Sequence, residues 1–252
     1  TYLDVDSEGF VSLEDVENAI TDKTILISVM FANNEIGTIE PVREIGKIAH
    51  KHGILFHTDA VQAVGHIPID VAALNVDLLS MAAHKFYGPK GIGALYIKNG
   101  VKITNLVYGG EQERGLRAGT ENTPAIVGMG EALALACSEM DGAAQQIVHL
   151  RDLLENEIMQ RMPEAIVNGD RKKRLPGTLH VTFPGADTNM LLMRLDMEGI
   201  AVSAGSACAA GARERSHVLE AMHVPSGADV RFSLGTDNDE TQIRQTVDTL
   251  YR

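Results

Sequence analysis

The chain has 252 residues, 44% of them hydrophobic and 22% charged, and a net charge of −12. That length can bury a core without a disulfide or metal staple, while the acidic balance and scattered basic residues argue against a nucleic-acid groove or an anionic membrane surface and leave a small molecule or another protein as the expected partner. Cys137 and Cys208 are the only cysteines and share no CxxC spacing, so no disulfide framework or metal site is expected and a reducing, cytoplasmic setting is, and no apolar run approaches the roughly 18 residues of a membrane span.

The sequence opens without Met in "TYLDVDSEGF", a short way before a strong strand, and reads as a piece of something longer. The first apolar run, Thr24 to Phe31, is expected to be a buried strand ending at a polar Asn33-Asn34 turn. Pro41 suits the first turn of a helix, and Val42, Ile45, Ile48 and Ala49 recur on one face up to Lys51 before Gly53 ends it. "ILFHTD" is the second strand, "DLLSMAA" the third, and "GALYIKNG" a fourth that closes in an Asn-Gly turn. Strand, helix, strand in this order implies parallel pairing with right-handed crossovers, and such sheets collect ligand-binding residues at the carboxyl ends of their strands. Asn34, Asp59 and Lys85 all fall at such ends.

A long helical pattern follows from Pro124 to about Met162. "AIVGMGEALALA" reads as buried and "HLRDLLENEIMQRM" as amphipathic. Beyond the turn-rich "NGDRKKRLPG" come "TLHVTF" as a strand, a helix at "TNMLLMRLDMEG", a short strand "IAVS" and a loop to Arg215. A helix "SHVLEAM", a strand "DVRFSLG" and a final helix from Asp239 complete the chain. The expected architecture is α/β, with a mostly parallel-sheet large domain over residues 1–140 and a smaller α+β domain over residues 141–252.

The stretch "SMAAHKFYGPKGIG" holds the residue with the clearest chemical potential. Lys85 follows His84 at the end of an apolar run and is then fenced by Gly88, Pro89, Gly91 and Gly93. A lysine in a Gly/Pro loop is more often a solvated residue than a nucleophile, but its neighbours change the balance. Schiff-base chemistry on pyridoxal phosphate needs an amine for the aldehyde, a carboxylate for the pyridine nitrogen and a donor for the phenolic oxygen. "HTDAVQ" offers the last two: Asp59, 26 residues before Lys85, and Gln62 one turn after Asp59.

Six motifs in order then carry a family resemblance. They are "NNEIG" at 33–37, "HTDAVQAVG" at 57–65, "AAHKFYGPKGIGALY" at 82–96, "GGEQERGLRAGT" at 109–120, "SAGSACAAG" at 203–211 and "VRFSLG" at 230–235. Together they resemble the cysteine desulfurases, pyridoxal 5'-phosphate enzymes of the class V aminotransferase type and of fold type I. That resemblance implies that Lys85 forms the Schiff base and moves protons at the substrate α-carbon, that Asp59 pairs with the pyridine nitrogen, and that Gln62 reaches the ring oxygen. His84 is implied to bind the cofactor phosphate and Thr120 to contact it across a homodimer interface. Asn34 is implied to sit beside the ring and the substrate carboxylate, which Arg231 would hold with its two-pronged guanidinium.

Cys208 separates the relatives. It is flanked by small residues in a segment expected to swing, whereas Cys137 inside "LALACSEM" is expected to be a packed helix residue. A thiolate on such a segment can attack the sulfur of L-cysteine, giving L-alanine and a persulfide on Cys208 for a sulfur-acceptor or iron–sulfur scaffold protein. Ala82 stands where the family usually has a serine. The family's front portion, with its ring-stacking histidine and a phosphate-binding turn, has no counterpart in this sequence. The alternatives are another class V enzyme, such as an aminotransferase or selenocysteine lyase, and a non-catalytic homologue that acts by protein binding.

Overall fold

The described residues, 1–205 and 215–251 of a computed structural model, contain helices α1 (Leu13–Asn18), α2 (Val42–Lys51), α3 (Thr123–Arg161), α4 (Thr188–Met197), α5 (His217–Ala221) and α6 (Glu240–Tyr251). Their strands are β1 (Leu26–Met30), β2 (Leu55–Asp59), β3 (Leu78–Ala82), β4 (Gly93–Ile97), β5 (Ile166–Asn168), β6 (Thr178–Phe183) and β7 (Ala228–Ser233). The chain divides into two compact units, one formed by residues 21–31 and 42–139 and the other by residues 1–20, 32–41 and 140–252.

In the first unit the strands lie in the order β1-β2-β3-β4. β1, β2 and β3 run parallel, and β4 returns antiparallel along β3. Amphipathic α2 supplies the crossover between β1 and β2 and buries Val42, Ile45 and Ala49, the face its spacing foretold. The link from β2 to β3 is made of turns instead of a regular helix. Phe56, Ala60, Ala63, Val76, Leu79 and Phe86 are among the buried apolar residues that close this core.

In the second unit a three-stranded antiparallel sheet runs β5-β6-β7. Period-two alternation gives the sheet two unlike faces. Leu179, Val181 and Phe183 of β6 and Val230 and Phe232 of β7 pack with Leu150, Leu154 and Ile158 of α3 and with Ile243 and Val247 of α6. His180 and Thr182, the intervening residues of β6, pair with Arg231 and Asp229 of β7 and therefore share the opposite face. The segment "NNEIGTI" joins this unit through a tight turn. Asn33 Oδ1 accepts the amides of Glu35 and Ile36 at 2.8 and 3.1 Å, and the turn is stitched to residues 173–175 by Ile39 N to Lys173 O and Leu175 N to Gly37 O, both at 2.9 Å.

The α/β character and the mostly parallel sheet agree with the sequence. Four details differ. β1, expected to be buried, leaves Leu26 and Met30 exposed on one face. "IAVS" makes a single bridge at Ser203, opposite Arg231, instead of a strand. The short α1 and β5 were not foreseen. Cys137 is exposed on α3 instead of packed, because that helix carries apolar residues on outward-facing positions as well, Ile126, Val127 and Leu135 among them.

Candidate active site

The carboxyl ends of β2 and β3 bring four of the expected residues onto neighbouring strands of one unit. Asp59 is the last residue of β2 and stands in register with Ser80 of β3, so the two backbones lie about 4.8 Å apart. One carboxylate oxygen, Oδ1, accepts the Val61 amide at 2.9 Å, which caps the turn that carries half-buried Gln62. β3 runs directly into a 3-10 turn, Ala83–Lys85. His84 on this turn is exposed and Lys85 is half-buried, and the Lys85 amine has no hydrogen bond or ion pair among the described residues.

The fence around Lys85 has a physical cause. Phe86 and Gly88 both donate their amides to the Ala83 carbonyl, at 3.1 and 2.9 Å, so the chain folds back tightly on Ala83. A β-carbon at position 88 would lie 2.9 Å from that of Ala83, a distance only glycine avoids. His66 Nε2 hydrogen-bonds the Lys85 carbonyl at 2.8 Å and buried Phe86 anchors the far side. The lysine backbone is therefore held on both flanks.

Beneath Asp59 on the same face of β2, His57 bridges three strands. Its Nδ1 hydrogen-bonds with Ser28 Oγ at 2.8 Å and its Nε2 with Ser80 Oγ at 2.9 Å. Burial holds the imidazole below its ordinary pKa, with the nearby Asp59 charge opposing the shift. A neutral ring serves both serines, one nitrogen donating and the other accepting. The signal for this row was present in "HTD", where the residue two before the carboxylate must share its face.

Thr120 is exposed in the segment leading to α3 and shares no hydrogen bond with these residues. The same unit exposes Leu106, Val107, Tyr108, Leu116, Ile126 and Val127.

The other unit holds Asn34 and Arg231 and brings them together. Arg231 Nη1 donates to the Asn34 carbonyl at 2.7 Å, with both residues half-buried. The sheet face that carries Arg231 also holds a buried polar chain that sequence reasoning missed. Asn168 Nδ2 reaches His180 Nδ1 at 2.9 Å and donates to Thr182 Oγ1 at 2.7 Å, and Thr182 Oγ1 donates to Asp229 Oδ1 at 2.6 Å. His180 is fully buried, and that burial, reinforced by the charges of Arg231 and Arg215 against the pull of Asp229, lowers its pKa to about 4. The imidazole stays neutral beside Arg231. Cys208 lies outside the described residues, which leaves its expected swing undescribed. No cluster of three or more His, Cys, Asp or Glu able to hold a metal occurs among the described residues, and no helix among them is long and apolar enough to cross a membrane.

Comparison with known proteins returns a consistent set. The family model for aminotransferase class-V matches residues 1–246. The cysteine desulfurase IscS of Clostridium botulinum strain Hall is 55% identical over 255 residues, an alignment that takes in 99% of this chain and 64% of that protein. A solved NifS-like protein superposes with a TM-score of 0.91 at 39% identity, covering 100% of this chain and 67% of the other. A structure of SspA in complex with cysteine superposes at 0.78 with 37% identity, over 94% of this chain and 66% of its own. The chain thus spans 64% of the length of the curated IscS it matches.

Proposed function

This chain belongs to the aminotransferase class-V family, and from that premise we propose that it works as part of a pyridoxal 5'-phosphate-dependent cysteine desulfurase that converts L-cysteine to L-alanine and leaves a persulfide on Cys208. The observation that supports the reading is the placement of Asp59 at the carboxyl end of β2 and of Lys85 in the turn that directly follows the adjacent parallel strand β3.

The donor set fits the cofactor. An amine without a partner, a carboxylate with Oδ2 uncommitted, an amide and an exposed imidazole follow one sheet edge, and these are the groups an aldehyde, a pyridinium, a phenolic oxygen and a phosphate require. When bound, pyridoxal phosphate supplies an electron sink that labilises bonds at the substrate's α- and β-carbons. Lys85 would hold it through the side-chain amine and would move the proton at the substrate α-carbon. Asp59 would keep the ring nitrogen protonated, Gln62 would hydrogen-bond the ring oxygen, and His84 would bind the phosphate. Asn34 and Arg231 orient the substrate carboxylate. The Cys208 thiolate attacks the substrate sulfur, so the carbon–sulfur bond breaks as a sulfur–sulfur bond forms, and the released carbon takes up a proton to become the methyl group of alanine. No outside oxidant or reductant is needed, because the sulfur's oxidation is balanced by the carbon's reduction.

Thr120 completes the phosphate site from a second copy of the chain. The exposed apolar residues of the same unit, Leu106, Tyr108 and Val127 among them, support a homodimer, because exposed large apolar side chains are the kind an interface covers. The persulfide passes to a sulfur-acceptor or iron–sulfur scaffold protein in the cytoplasm. The test is Lys85→Ala in the intact natural protein. It abolishes the yellow absorbance of the bound cofactor and all alanine release while the circular dichroism is unchanged; alanine formed at the wild-type rate refutes the reading.

A further inference from the structure

We infer that His180 is a positioning residue for Arg231: the buried chain Asp229–Thr182–Asn168 fixes its imidazole as the Nε2–H tautomer, a ring with no acceptor left to draw the neighbouring guanidinium away from the substrate carboxylate. This rests on the desulfurase reading above. All the residues involved belong to one unit.

Three strands set these side chains in a row. Asn168 of β5 is the register partner of His180 on β6, and His180 is in turn the partner of Arg231 on β7. Side chains paired in this way stand on the same face of the sheet with their β-carbons about 5 Å apart. Thr182 and Asp229 form the next row on that face.

The hydrogen bonds allow one arrangement of protons. The Asp229 carboxylate only accepts, from Arg215 Nε at 3.0 Å and from Thr182 Oγ1 at 2.6 Å. A hydroxyl has one proton, so the Thr182 oxygen, having donated to Asp229, can only accept from Asn168, at 2.7 Å. Asn168 therefore presents its amide nitrogen, and the same nitrogen lies 2.9 Å from His180 Nδ1. Nδ1 accepts, and the ring proton sits on Nε2. A second ring proton would set a donor against the Asn168 donor. It would also charge a fully buried ring already disfavoured as a cation by Arg231 and Arg215, with Asp229 opposing them.

Arg231 is anchored at its backbone and at one tip. Its N–H and carbonyl exchange hydrogen bonds with Ser203 at 2.6 and 3.3 Å, and its Nη1 donates to the Asn34 carbonyl at 2.7 Å. That carbonyl lies in the turn capped by Asn33 Oδ1. In the other tautomer, Nε2 of His180 would be a buried acceptor one strand away from the guanidinium, and a charge-assisted bond to it would be strong. With Nε2 protonated the ring offers no such bond, and Nε2 has no hydrogen-bond partner among the described residues. His180 thus acts through Arg231, by withholding an acceptor, without touching substrate or cofactor.

The test uses the intact natural protein. The first readout needs no catalysis: imidazole nitrogen NMR of His180, assigned by its loss in His180→Phe, shows an unprotonated Nδ1 and a protonated Nε2 at neutral pH. The second is the KM for cysteine beside kcat. Asn168→Leu and Thr182→Val both release the tautomer, the first by removing the donor to Nδ1 and the second by freeing the Asn168 amide to turn over. Their Nε2 signals move toward the unprotonated type, and their KM values rise about fivefold with kcat within about twofold of wild type. Adding His180→Phe to Asn168→Leu removes the ring acceptor and brings KM back to within about twofold of wild type, a rescue that a merely structural role does not produce. A wild-type spectrum with the proton on Nδ1, or on both nitrogens, overturns the inference. So does a wild-type KM in both single variants, or a KM that His180→Phe fails to lower in the double variant. A wild-type protein that releases no alanine overturns the desulfurase reading instead, and the spectra then still decide whether the tautomer is fixed.

Discussion

Arg231 donates from Nη1 to the backbone carbonyl of Asn34 at 2.7 Å, so two residues 197 positions apart in the chain are joined by one guanidinium. The bond uses one of the donors of a side chain that stands opposite neutral His180 on the small sheet. If Arg231 holds the substrate carboxylate, it does so from a backbone-anchored orientation. Arg231→Lys loses the fork while keeping the charge, and its KM for cysteine rises about tenfold or more with cofactor absorbance unchanged. Steady-state kinetics beside an absorbance titration check this; an unaltered KM assigns the carboxylate to another residue.

Asp59 uses only Oδ1 to cap the turn after β2, and this division of labour predicts a selective defect. Asp59→Asn keeps an oxygen for the Val61 amide but removes the charge that favours a protonated pyridine nitrogen. Turnover falls about a hundredfold while cofactor content falls far less. Alanine assay and cofactor quantification on the same preparation check both quantities, and equal rates in the two proteins show that this carboxylate faces elsewhere.

Glu40 gives a prediction about stability. It is buried and accepts the Val11 amide at 3.1 Å. Burial raises its pKa to about 7, with Asp6 adding and the Val11 hydrogen bond opposing. A carboxyl whose folded pKa exceeds its unfolded one favours the fold fully at low pH, and that contribution is lost as pH rises from the unfolded value through about 7. Between about pH 5 and about pH 8 the loss is on the order of 3 kcal/mol. Glu40→Gln removes that slope, so its melting temperature overtakes the wild type's as pH rises. Melting curves that stay parallel across this range contradict the assignment.

Much of this was legible because the informative signals are local. The strands β1 to β4, the helix α2 and the positions of Asp59 and Lys85 at strand ends follow from apolar runs, Gly and Pro punctuation and the spacing of charged residues. What stayed hidden is long-range or short. β5 is three residues long and leaves no periodic trace, and Ser203 pairs at one point only. The polar chain from Asn168 through Thr182 and Asp229 to Arg215 joins residues up to 47 positions apart. One clue to it did exist, since "TLHVTF" alternates Leu, Val and Phe with His and Thr, a pattern that sets two polar residues on one face of a strand. Cys137 misled because α3 is apolar on outward positions as well as inward ones, and periodicity reports apolar character without saying what covers it.

The measurement that tests the central claim most directly is mass spectrometry of the intact natural protein after one turnover with L-cysteine, run on wild type, Cys208→Ser and Cys137→Ser. Serine at 208 removes the soft sulfur nucleophile and leaves the Lys85 amine and the Asp59 carboxylate in the protein. Wild type and Cys137→Ser gain a single sulfur atom on the peptide containing Cys208 and release alanine, whereas Cys208→Ser binds the cofactor and cysteine but gains no sulfur and releases almost no alanine. Sulfur found on Cys137, or alanine formed at the wild-type rate by Cys208→Ser, contradicts the desulfurase reading and moves the choice to a lyase or an aminotransferase.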